Sequence, residues 1–93
     1  MIDTRVYAFM LDLFPLTDGL SQECSVLGDR LQSAGIELVM ATSAGFPVHN
    51  LVSRLELLLR LARDLGHIEE DVHEFLSRSL KAIADEAHRS GEL

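Results

Sequence analysis

His67 and Asp71 stand four residues apart with Glu70 and Glu74 beside them, so on a helix a ring nitrogen and carboxylate oxygens would share one face. That spacing is the least a weak metal site needs. Acids in the first turn of a helix and a histidine in the turn before it account for the same residues, because the helix dipole favours negative charge there. No residue is therefore assigned as a metal ligand. Cys24, the single cysteine, falls inside an apolar stripe, where a thiol packs as a small hydrophobe. His73 and His88 lie at or beyond the edge of an apolar face and read as solvated. No Gly-x-Ser-x-Gly, phosphate loop or His-Glu-x-x-His is present. The chain is expected to be no enzyme, with no catalytic or cofactor-binding residues and no cofactor.

The remaining chemistry is charge. Arg54, Arg60 and Arg63 stand against Glu56 and Asp64 in one leucine-rich helix, giving it a positive balance within a chain of net charge −7. Arg60, Arg63 and His49 share one side of that helix, with Glu56 in the same strip. They form either a solvated face with Glu56 and Arg60 paired, or a phosphate-contacting patch strengthened by repetition in an oligomer. Arg30 is either a structural ion-pair partner or a contact to nucleic acid or polymerase. Any attraction to RNA would be local and salt-dependent, because the whole protein is acidic.

Four helices must position these groups. The first is expected from Asp3, as N-cap, to Phe14, with Pro15 stopping it. Its stripe is Ile2, Val6, Phe9, Met10 and Leu13, with Tyr7, Leu11 and Phe14 on a flank. Leu16 to Gly19 reads as a turn. The second helix runs from Leu20 to Ser43 on the stripe Leu20, Cys24, Leu27, Leu31, Ala34, Gly35, Leu38, Ala41 and Thr42. A helix-to-strand junction between Gly35 and Thr42 is the competing reading, opposed by that unbroken stripe. Gly45 and Pro47 separate the second helix from the third, which Gly66 closes. The fourth runs from Ile68 to Ser90, facing inward with Ile68, Val72, Phe75, Leu76, Ser79, Leu80, Ile83 and Ala87. Glu74–Arg78 and Asp85–Arg89 are spaced for ion pairs.

In the third helix Leu65, Leu58, Leu51, Ala62, Leu55, Val48, Leu59 and Val52 fill one arc of about 140°. Leu57 and Leu61 fall outside it, as Ile36 and Met40 fall outside the stripe of the second helix. Each pair is either buried by extra packing within the monomer or forms an oligomer interface.

Composition agrees with helices. Hydrophobic residues make up 47% of the 93 and aromatics 5%, and a domain this small buries only about 60–65% of its unfolded surface. One all-α domain over residues 1–93 is expected, an antiparallel up-down four-helix bundle assembled as a homo-oligomer. The lone cysteine suits a reducing cytoplasm. No secretory signal and no membrane-spanning stretch are read.

Phe14-Pro15, then Leu27-Gly28-Asp29-Arg30-Leu31-Gln32, then Leu55 through Gly66 ending Leu-Ala-Arg-Asp-Leu-Gly, resemble the Avd-type four-helix bundle proteins, the accessory variability determinants of diversity-generating retroelements. The small bundle proteins encoded in intervening sequences of large ribosomal RNA genes are a more distant likeness. The resemblance spans roughly Phe14 to Ala84. It implies a non-enzymatic homopentamer that assists a reverse transcriptase and a template RNA in mutagenic cDNA synthesis. Beside it, the charge and apolar patterns make Arg30, Arg54, Arg60 and Arg63 the candidate nucleic-acid or polymerase contacts, and Ile36, Met40, Leu57 and Leu61 the candidate oligomer interface. The family relies on a basic surface, whereas this chain has 8 Lys and Arg against 15 Asp and Glu. The alternative is an acidic helical bundle that binds a protein partner, a basic one fitting its charge, without touching nucleic acid.

Overall fold

Pro15 does not end the first helix. The computed structural model describes residues 4–90, apart from the side chains of Ser21 and residues 88–90, and within it the first helix continues through Pro15 to Glu23. The four helices are α1 (Thr4–Glu23), α2 (Ser25–Ala44), α3 (His49–Asp64) and α4 (Glu70–Ser90). The expected Asp3 cap, Ile2 and the Arg89 side chain lie outside the described residues. No strand occurs among the described residues, so the junction weighed at Gly35 to Thr42 is helix throughout.

Helix α1 runs through Pro15 for a packing reason. An interior proline costs about 3 kcal/mol, because it leaves the carbonyl four residues earlier without its donor. That carbonyl belongs to Leu11, a residue on an exposed side of α1. Past Pro15 the stripe of Val6, Phe9, Met10 and Leu13 continues into Thr17 and Leu20, all buried. Leu20 alone recovers roughly 1.5–3 kcal/mol by burial. Thr17, fully buried, donates its hydroxyl to the Phe14 carbonyl at 3.0 Å and accepts from Gln32 Nε2 at 2.9 Å. Gln32 also donates to Asp18 Oδ1 at 3.0 Å. Thr17 and Asp18, turn formers by type, thus become side-chain links between two helices.

The break comes instead at Cys24, the one residue between α1 and α2, with a φ of −147° and ψ of 88°. Its N–H still donates to the Leu20 carbonyl at 2.7 Å, and its carbonyl accepts from Gly28 N–H at 3.1 Å. Gly35 then lies under Met10, close enough that a β-carbon there would meet the thioether.

The other two ends follow sequence chemistry closely. Gly45 (φ 79°) and Gly66 (φ 85°) adopt the left-handed conformation that only glycine takes cheaply. After α2, Gly45 N–H donates to Thr42 and Phe46 N–H to Ala41; after α3, Gly66 N–H donates to Arg63 and His67 N–H to Ala62. Both are Schellman closures of the last turn.

Each helix packs on the next in the chain, and α1 on α4, around one core. That core includes Phe9, Leu13, Leu31, Leu38, Leu55, Leu59 and Leu80. Two residues expected in it are outside. Leu65 is 58% exposed because α3 ends at Asp64 and the chain is already turning towards Gly66. Phe75 is 51% exposed because the buried arc of α4 centres on Leu76, Leu80 and Ile83, about 100° around the helix from it. Among the described residues, no helix is long and apolar enough to cross a membrane.

Candidate functional site

The second helix is the anomaly of the fold. Its only charged residues are Asp29, Arg30 and Glu37, and its apolar residues run around its circumference instead of along one stripe. Leu27, Leu31, Ala34, Leu38 and Ala41 fill its core face, while Val26 (68%), Ile36 (47%) and Met40 (66%) are exposed. On α3, Leu57 (62%) and Leu61 (46%) are exposed as well. A helix apolar on several sides is one that expects neighbours on several sides. Of the two readings left open for Ile36, Met40, Leu57 and Leu61, burial within the monomer is not what the fold does with them.

Between α2 and α3 lies an open groove of about 490 Å³. Val26, Leu58, Leu61 and Leu65 supply apolar wall, and Arg30 and Arg54 supply charge. Arg54 Nη1 reaches Glu37 Oε1 across the groove at 3.1 Å, with both side chains about half exposed. Such a solvated pair contributes little stability, up to about 1 kcal/mol. Arg30 makes no ion pair among the described residues.

The four arginines expected to form a contact surface do not share one place. Arg30 and Arg54 line the α2–α3 groove. Arg63 points to α4: its Nη2 is 2.9 Å from Asp64 Oδ1, and its Nη1 is 3.8 Å from Glu70 Oε2 and 3.5 Å from His73 Nδ1. Arg60 is exposed on the strip between. The pairs Glu56–Arg60 and Glu74–Arg78, spaced correctly in sequence, are not among the ion pairs formed by the described residues. Like Arg54, Arg63 instead finds a carboxylate on a neighbouring helix.

His67 also turns away from the acids that follow it. Its Nδ1 lies 2.9 Å from Glu23 Oε1 at the end of α1, and no group of three or more metal-ligating side chains gathers among the described residues. Cys24 is half-buried at the mouth of the groove. Sequence reasoning does not single out Val26, Leu65 or Phe75 as surface residues. Val26 lies just past a helix break the periodicity runs through, and Leu65 and Phe75 match the inward period. No family model, curated protein or solved structure matches the chain.

Proposed function

We propose that this chain is a non-enzymatic assembly subunit: an antiparallel up-down bundle that functions as a homo-oligomer and works with a macromolecular partner. The observation that carries this reading is the exposed set Ile36, Met40, Leu57 and Leu61. Full burial of each such side chain is worth roughly 1.5–3 kcal/mol, enough in sum to hold copies together and a liability if left in water. The antiparallel course is supported by contacts between opposite ends. Arg5 near the start of α1 pairs with Glu86 late in α4 at 2.8 Å, and Glu23 at the end of α1 meets His67 before α4 at 2.9 Å.

With the Avd-like sequence blocks, the specific form of this proposal is a cytoplasmic homopentamer. It would assist a retroelement reverse transcriptase and its template RNA or cDNA through Arg30, Arg54, Arg60 and Arg63. A second reading, an acidic bundle holding a basic protein without nucleic acid, is favoured by the carboxylates that already engage Arg54 and Arg63. Native mass and RNA binding separate them. A pentamer that binds RNA, weakening with salt by about 0.7 log units per log unit for each phosphate contact, and that loses binding with Arg30→Gln and Arg60→Gln, supports the first. A pentamer that binds no RNA at low salt supports the second. A monomer at high concentration overturns the assembly reading itself.

A further inference from the structure

We infer that the α2–α3 groove receives α4 of a second copy of this chain, with Phe75 as the inserted side chain. This rests on the self-assembly reading above and adds which surface meets which. The apolar wall of the groove is left to solvent at Val26, Leu61 and Leu65. Phe75 is a large apolar side chain left half exposed on a different helix. Aromatic side chains that fill a pocket are the strongest anchors of protein interfaces.

Charge selects between the exposed apolar residues that could serve as the key. In a chain of net charge −7, the groove carries Arg30 and Arg54 against the single acid Glu37. Phe75 has the opposite surroundings. Glu69, Glu70, Asp71 and Glu74 precede it within two turns with no Lys or Arg among them, and Arg78 follows one turn later. Phe46 is more exposed but sits in the loop Ala44-Gly45-Phe46-Pro47-Val48, which has no charge at all. Lengths also agree. Cys24 to Glu37 is about 20 Å of chain and Glu70 to Arg78 about 12 Å at 1.5 Å per residue. Arg30, which makes no ion pair among the described residues, is then the cation that faces Asp71 or Glu74 while Phe75 enters beside it, with Arg54 kept by Glu37.

Because the groove belongs to α2 and α3 and its key to α4, the contact joins two different surfaces. After one such contact one copy still offers its key and the other its groove, which generates a ring where the rotation closes.

The native cysteine makes the contact directly testable, because Cys24 lies in the groove lining. Unmodified chain is mixed with the variant Arg78→Cys, Cys24→Ala and treated with a short bis-maleimide. A cross-link between Cys24 and position 78 can then form only between copies. It is expected in good yield, and Phe75→Ser is expected to raise the dissociation constant of the assembly about tenfold or more, with helical content kept and Phe75→Tyr near normal. An unmodified chain that assembles, yet gives no such cross-link and keeps its mass in Phe75→Ser, overturns this contact and leaves the assembly reading standing. An unmodified chain that is monomeric overturns both.

Discussion

Met10 covers Gly35. A β-carbon on Gly35 would lie 2.8 Å from both Sδ and Cε of Met10 and 3.1 Å from Leu13 Cδ2. Helix α2 can approach α1 this closely only because residue 35 has no side chain, and the adaptable thioether fills what is left. Gly35→Ala sets a helix-propensity gain of up to about 1 kcal/mol against displacement of the flexible end of Met10, and is expected within about 1 kcal/mol of the parent. Gly35→Leu has no such escape and should cost about 2–3 kcal/mol by overpacking. Chemical denaturation of both variants checks this. Equal effects would mean that α1 and α2 are not in close contact here.

Gly19 and Gly45 should respond in opposite directions to the same substitution. Gly19 is inside α1, exposed, with nothing within 4 Å of a built β-carbon. Gly19→Ala is therefore expected to stabilise by roughly 0.5–1 kcal/mol. Gly45 is also open around its β-position but has φ 79°, so Gly45→Ala should destabilise by about 1–2 kcal/mol. Thermal melts of the two variants should move apart. If Gly19→Ala destabilised, the Leu16 to Gly19 segment would be a turn.

Pro15 provides an independent check on the same helix. Pro15→Ala returns an N–H to the Leu11 carbonyl within α1. The gain is reduced by about 0.4–1 kcal/mol, the unfolded-chain entropy that proline had removed. A net stabilisation of about 2 kcal/mol is expected. A loss of stability would show that the proline is needed where it stands.

Leu57→Glu with Leu61→Glu should lower the native mass without unfolding the chain. Both side chains are substantially exposed at 62% and 46%, so charges there cost the isolated bundle little, within about 0.5 kcal/mol each. Sedimentation read beside circular dichroism separates the effects. A helical monomer is expected, and retention of the parent mass would remove these leucines from the interface.

How much is legible from the chain depends on how local the signal is. The period of Leu31, Ala34, Leu38 and Ala41, and of Val52, Leu55, Leu59 and Ala62, identifies buried faces because burial on a helix repeats every 3.6 residues. Gly45 and Gly66 mark helix ends because the left-handed torsion is a property of the residue itself. The α1–α2 boundary is misplaced by such a reading because Pro15, Thr17, Asp18 and Gly19 all carry turn propensity. That propensity is outweighed by the burial of Thr17 and Leu20 and by the Gln32 bonds, none of which a local window contains.

The sequence by itself thus determined an all-helical chain, most of its core, two of its three interhelical ends and an acidic character that argues against a broadly basic nucleic-acid surface. Tertiary structure alone decided where α1 gives way to α2, that Arg30 and Arg54 meet at one groove while Arg63 turns to α4, and that Leu65 and Phe75 stay in solvent. Composition and period are sums over neighbours along the chain, so they survive in a linear reading. Partner choice among charges and exposure at the edge of an arc depend on which helix lies alongside, and that is settled only when the four helices pack together.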